Sequence, residues 1–316
     1  MPKLQFNEKQ VKWLLSLAAL SYVIFHFTQL SDFSLNFLTS IPWNLSNLIF
    51  ILCLICLTFV NWSIEAYKWK VAMDPVFKLR FGKSLKGILC GLTVAIFTPN
   101  RSGEFVGRIF VIPKRYRLHA ISSTIFANVF QLSITLLMGT LSLIIFTKQF
   151  SAPLTFTLRN VPFYSIIIGL TVTLILLLIY RFRKRLFELH HVISQLWRYF
   201  KKFSFKTILI LWSFSLVRYF VFMLQFRLIL NILNVDISFQ DMFLGLSLTY
   251  YAMALLPIIT LAEPLARSSL SLVFFSNFTQ QSSEILIAIL LLWIVNLVIP
   301  SVLGTILMNY SNKEHD

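Results

Sequence analysis

A chain of 316 residues that is 57% hydrophobic and 16% aromatic, with only 13% charged residues, excludes a water-soluble domain and reads as an all-α polytopic membrane protein. The formal net charge of +16 does not point to nucleic acid. The basic residues cluster in short stretches between apolar runs, where they set orientation and contact anionic lipid headgroups.

In chain order, the first apolar run, 12–30, follows Lys9 and Lys12 without a small-x-small cleavage pattern, so a retained helix is expected. The second span, 46–64, contains Cys53 and Cys56; in a spanning helix their C-x-x-C spacing is read as inert thiols rather than a redox pair. The next apolar stretch, 88–112, is broken at Pro99, and each arm is about ten residues, or ~15 Å of helix, which reaches only mid-membrane. A re-entrant hairpin is expected there, followed by a span at 120–146. Further spans are expected at 162–180, 207–232 and 285–309, with a second broken stretch, 242–275, interrupted at Pro257. Between them, 183–203 places Leu186, Leu189, Ile193, Leu196, Phe200 and Phe203 at helical spacing among basic residues. That pattern describes an amphipathic helix on an anionic leaflet, either as a simple anchor or as a headgroup site.

Charge bias orients the spans. The segment 65–86, read as a loop, carries Lys68, Lys70, Lys78, Arg80, Lys83 and Lys86, and 113–119 carries Lys114, Arg115 and Arg117. The segments 31–45, 233–241 and 274–284 carry no Lys or Arg. A cytoplasmic amino terminus follows, with hairpin 88–112 entering from the cytoplasm and hairpin 242–275 from outside. Residues 1–146 and 147–316 then form an inverted-topology repeat of about six full spans and two re-entrant helical hairpins, whose tips meet near the midplane.

Both hairpins carry Glu-x-x-x-Arg: Glu104 and Arg108 in the first, Glu263 and Arg267 in the second. Such pairs one helical turn apart neutralise each other in the membrane, and they read either as glue for the hairpin or as part of a site. In the second reading a helix start offers N–H groups to an anion, Gly103 and Gly107 permit close backbone approach, and Arg101 supplies a bidentate donor. Phosphate is the favoured ligand. Arg218, in mid-span with Gln225 on the same face, needs an anionic partner, for which Glu104 and Glu263 are the candidates. Arg227, nearer the span end, is read as snorkelling. Asn128, Gln131 and Thr135 on one face of 120–146, and Asn296 in the last span, are either interhelical glue or a secondary polar path. Tyr250 and Tyr251 are read mainly as packing residues. No metal or cofactor is expected: His190 and His191 lack partners at ligand spacing, and no phosphate-loop, nucleophile-elbow or H-E-x-x-H pattern occurs.

The run Thr98-Pro99-Asn100-Arg101-Ser102-Gly103-Glu104-Phe105-Val106-Gly107-Arg108, followed by a basic break and Ala120-Ile121-Ser122-Ser123-Thr124-Ile125-Phe126-Ala127-Asn128, resembles the lysylphosphatidylglycerol synthase transmembrane-region family. Pro99, Gly103, Glu104 and Arg108 fall on its first motif, and Pro257 and Glu263 on a later proline- and Glu-containing segment. Ile258 to Ala262 replace the glycine run expected there, and the soluble aminoacyl-transferase domain of the best-known members is absent. The resemblance implies a flippase-type domain in a cell (inner) membrane that handles a phospholipid or polyprenyl-linked lipid. Its rivals are a membrane-embedded lipid-modifying transferase, for which no acid or nucleophile at the bilayer surface stands out, and an accessory subunit of a separate lipid synthase.

Overall fold

Polar caps mark where several helices begin. In the computed structural model, which describes residues 44–149 except 97, 99 and 100, together with 198–255 and 263–310, the Asn44 side chain accepts the Asn47 N–H and opens helix α1, Leu45–Met73. Ser204 likewise accepts the Thr207 N–H ahead of α5, Phe205–Ile232. Ser238 accepts the Asp241 N–H and donates to its carboxylate ahead of α6, Phe239–Leu255. The remaining helices are α2 (Phe81–Ala95), α3 (Gly103–Ile109), α4 (Arg117–Gln149), α7 (Glu263–Phe275), α8 (Ser282–Trp293) and α9 (Ile299–Tyr310). Among the described residues no strand occurs.

Among the described residues, four helical stretches are long and apolar enough to cross a membrane: Leu45–Met73, Lys114–Gln149, Phe205–Ile232 and Ser282–Met308. They correspond to the expected spans 46–64, 120–146, 207–232 and 285–309. Leu48, Leu52, Ile55 and Phe59 on α1 and Leu137, Leu141 and Ile144 on α4 are exposed, the surface of helices whose solvent is hydrocarbon. The expected spans 12–30 and 162–180, and residues 183–197 of the amphipathic segment, lie outside the described residues. At the carboxyl end of that segment Tyr199 and Phe203 are buried against Val71, Ala72 and Leu211, and the Tyr199 hydroxyl donates to the Ala72 carbonyl at 2.7 Å. Burial pushes the Tyr199 phenol above its usual range, so it stays a donor.

Both broken segments fold as helical hairpins. A Cβ on Gly103 would strike the Val94 carbonyl, one on Gly107 the Cys90 carbonyl, and one on Gly87 the Val111 side chain, so α3 runs back antiparallel along α2 at backbone contact distance. The close approach expected of Gly103 and Gly107 is therefore present, and Gly103, Glu104, Gly107 and Arg108 form the buried face of α3. α6 and α7 pack on each other, with Phe275 lying against Gly245. The arms are unequal and mostly longer than ten residues: 15 and 7 in the first hairpin, 17 and 13 in the second.

Packing between the two halves is reciprocal. α2 lies along α9, where Thr93 donates to the Ser301 carbonyl, Ser301 donates to the Leu92 carbonyl, and Gly304 leaves no room for a Cβ beside Leu89. These small residues permit the close helix contact that replaces hydrophobic driving force in a bilayer. α6 correspondingly lies along α4, with Tyr251 over Gly139. α1 and α5 pack antiparallel, bringing Thr58 to Gln225, Asn61 and Glu65 to Arg218, and Tyr67 to Phe214.

Candidate functional site

α1 continues nine residues beyond its apolar window, and this extension places charge inside the protein. Thr58, Asn61, Glu65 and Lys68 recur at three- and four-residue spacing, so they share one helix face, and all four are buried. Glu65 is the hub. Its carboxylate accepts from Arg218 Nη1 at 2.7 Å, from Arg108 Nη2 at 3.1 Å and from Lys68 Nζ at 3.3 Å. Arg108 Nη2 also donates to Glu104 at 3.1 Å, and Lys68 donates to Gln131 Oε1 at 3.1 Å. Lys68 is 0% and Arg108 1% exposed, so these charges survive burial only because the opposing charges are in contact. Arg108 also lies against the Trp69 ring, 5.6 Å from its centroid.

A neutral chain extends from the hub. Arg218 Nε donates to Asn61 Oδ1 at 2.7 Å, Asn61 to Asn296 at 2.5 Å, Asn296 to Gln225 at 3.0 Å and Gln225 to Thr58 at 3.0 Å. Asn296 sits in a π-helical turn, Ile294–Val298, between α8 and α9. Pro300 explains that turn. In a regular helix its ring would clash with the Asn296 carbonyl, and the wider turn relieves the clash, with the Ile299 N–H bonding to the Ile294 carbonyl instead.

A second charged centre joins the two hairpins. Arg101, just ahead of α3, has φ 55°, a left-handed conformation uncommon for a side-chain-bearing residue. Its guanidinium donates to both carboxylate oxygens of Glu263, at 2.9 and 3.4 Å. Arg267, one turn along α7, binds the same carboxylate and lies over the Tyr250 ring. Both centres line one cavity of about 590 Å³, within the range of small-molecule sites. Apolar residues including Ile125, Val129, Leu132 and Met253 line it as well.

The residues singled out from the sequence converge here. Arg101, Glu104, Arg108, Arg218, Glu263 and Arg267 line the cavity, as do Asn128, Gln131, Thr135, Asn296 and Tyr250. Gly103 sits behind it, and its N–H is taken by Thr98 Oγ1 at 2.6 Å, so the first N–H of α3 is not offered to an anion. Both Glu-x-x-x-Arg motifs pair internally as the one-turn spacing requires. Two expectations need correction. Lys68 is no loop residue but a buried member of the hub, because the helix outlasts its apolar window. Arg218 is neutralised by Glu65, not by Glu104 or Glu263, because the antiparallel α1 brings Glu65 opposite it. Arg227, read as snorkelling, reaches past the end of α5 and donates to the Ile237 carbonyl at 2.6 Å. Glu65 itself escaped notice; the three-and-four spacing of Thr58, Asn61, Glu65 and Lys68 was the signal.

Long apolar helices around a buried, charged and partly apolar cavity define a multi-pass membrane protein. Its sequence matches the family model described as "Lysylphosphatidylglycerol synthase TM region" over residues 10–304, and the chain belongs to that family. Neither curated proteins nor solved structures give a match.

Proposed function

We propose that this protein moves a lipid between leaflets of a cell (inner) membrane, holding an anionic phosphate headgroup in the cavity between two re-entrant hairpins. The carrying observation is the contact of Arg101 on the first hairpin with Glu263 on the second, across a cavity whose charged lining is four arginines and three glutamates. Guanidinium groups suit the bidentate binding of a phosphate oxyanion, and the apolar lining suits an acyl or prenyl chain. Ionisable residues at such cost inside a bilayer protein mark a pathway more often than a scaffold.

Several features support alternating access between inverted repeats. The second expected span of each half, α1 and α5, pair antiparallel, as an inverted repeat requires and a parallel one forbids. Each hairpin packs on the last span of the other half, α2 on α9 and α6 on α4, so rocking one half against the other moves both hairpin tips relative to the cavity. Arms of 7 to 17 residues fall short of the ~20 needed to cross, consistent with hairpins that enter and leave by the same face. With basic segments cytoplasmic, the first hairpin opens inward and the second outward.

The test is leaflet exchange of labelled phospholipid and of labelled polyprenyl-linked lipid in proteoliposomes, for wild type, Glu104→Gln and Arg108→Ala. Wild-type exchange that drops in both variants supports the reading. Unchanged exchange in both overturns the site assignment.

A further inference from the structure

Three stretches rich in Lys and Arg, far apart in sequence, meet at one end of the helix array. α1 ends there and α5 begins there, with Tyr67 packed on Phe214 and the Tyr199 hydroxyl donating to the Ala72 carbonyl at 2.7 Å. α2 begins there as well, since Ser84 donates to the Ala66 carbonyl at 2.6 Å. The start of α4 completes the set: the rings of Phe77 and Tyr116 lie 4.8 Å apart, and those of His119 and Tyr199 5.7 Å apart. The fold thereby gathers residues 70–86, 113–119 and 198–206 around the open end of the first hairpin, where Val111 lies against Gly87. These stretches hold twelve Lys and Arg residues, and Asp74 is their one acid.

Most of these side chains face outward. Lys78, Arg80, Lys83, Lys114, Arg115 and Lys202 are exposed, and among the described residues none of the twelve forms an ion pair. Each stretch also carries an exposed apolar side chain at the first or second residue of the helix it enters: Phe81 at 42%, Leu118 at 53% and Phe205 at 80% exposure. Water penalises that arrangement. A bilayer boundary takes the apolar groups into its acyl region and leaves the cations among phosphates. Lys70, Lys78 and Arg80, with Asp74 and Leu79, also line a surface recess of about 540 Å³, which gives a headgroup phosphate a seat between three cations.

We propose that this end of the protein is a docking surface for the headgroups of an anionic lipid leaflet, with one headgroup phosphate seated in the recess of Lys70, Lys78 and Arg80. The surface lies outside the cavity and uses none of its lining residues, so it stands apart from the transport reading. Attraction of several exposed cations to acidic headgroups acts over about a Debye length and weakens with salt. The apolar side chains beside the cations set the partner as a membrane. An acidic soluble protein would have to supply a matching apolar surface for Phe81, Leu118 and Phe205. Acidic lipid held here collects around the mouth of the first hairpin.

The test reconstitutes the full-length protein in phosphatidylcholine liposomes carrying a trace of chain-spin-labelled lipid. Electron paramagnetic resonance then reads how strongly the immobilised lipid shell prefers labelled phosphatidylglycerol over labelled phosphatidylcholine, with leaflet exchange playing no part in the readout. Wild type at low salt is expected to favour phosphatidylglycerol by at least about threefold, a preference that collapses toward unity in about 0.5 M salt. Combining Lys78→Gln, Arg80→Gln, Lys201→Gln and Lys202→Gln, all at exposed positions, is expected to remove most of the preference with an unchanged unfolding midpoint. Lys148→Gln, exposed at the opposite end of α4, is expected to keep it. Equal association of the two lipids with wild type overturns the docking surface, as does a wild-type preference that persists in the fourfold variant. Polyglutamate binding to wild type without any preference for phosphatidylglycerol overturns it too, and assigns the surface to an acidic soluble partner.

Discussion

Glu65 on α1 receives Arg218 of α5 at 2.7 Å, and the same carboxylate also holds Arg108 of the first hairpin and Lys68. One side chain thus ties the two antiparallel spans to the first hairpin through Arg108 of its Glu-x-x-x-Arg motif. Two buried cations, Lys68 and Arg108, and the half-buried Arg218 share this one carboxylate.

Glu65→Gln removes the counter-charge of Lys68 and Arg218 and leaves Arg108 with Glu104, and breaking a buried pair in this way costs about 3–5 kcal/mol. The expected result is a large fall in the thermal unfolding midpoint of the detergent-solubilised protein. Lys68→Met in the Glu65→Gln background removes one orphaned cation and is expected to recover part of the loss. A double variant less stable than Glu65→Gln alone would show that Lys68 is not held there by Glu65.

The bond between Arg101 and Glu263 separates stability from function. The Arg101 side chain is 33% exposed, so its ion pair is worth less than about 1 kcal/mol to the fold. Arg101→Gln is therefore expected to leave the unfolding midpoint nearly unchanged while lowering lipid exchange in proteoliposomes about tenfold. Loss of stability with retained exchange would place Arg101 in the scaffold.

The membrane-crossing parts were legible because apolar windows and proline breaks are local signals. The windows 46–64, 120–146, 207–232 and 285–309 each fall within a long helix, and both broken stretches fold as hairpins. The charged hub was legible only in part. Glu104 and Arg108 stand one turn apart in an apolar segment, where their cost is conspicuous. Glu65 and Lys68 stand where hydropathy falls, among basic residues that set orientation, so they resembled the start of a loop. What buries them is α5 packed along α1, a contact between residues 65 and 218 that no local pattern records. The partner of Arg218 was missed for the same reason.

Pro300 and Asn296 form a second linked pair. The π turn that Pro300 imposes places Asn296 where it bonds Asn61 and Gln225, and through Asn61 it braces Arg218. Pro300→Ala removes the clash and favours a regular helix by up to about 3 kcal/mol in intrinsic propensity. Closing the bulge rotates Asn296 relative to the following turn and breaks the chain. The expected outcome is reduced exchange with stability equal to or above wild type. Wild-type exchange in Pro300→Ala would mean that the bulge only relieves the proline.

Gly107 tests the first hairpin directly. Its α-carbon faces the Cys90 carbonyl, and α3 approaches α2 so closely that even a methyl group collides with backbone rather than with a movable side chain. Backbone on both sides has to shift, so Gly107→Ala is expected to cost about 1–3 kcal/mol, the scale of overpacking in a tight core. It also moves Arg108, the next residue, away from Glu65 and Glu104. Gly82 provides the control, since a Cβ there meets nothing within 4 Å. Gly82→Ala is expected to match wild type or exceed it slightly, because alanine favours the helix by roughly 0.5–1 kcal/mol. Measuring unfolding midpoint and lipid exchange on both variants separates hairpin geometry from a general effect of adding a methyl group. If Gly107→Ala kept both at wild-type levels, the antiparallel contact between α2 and α3 would not be what positions Arg108.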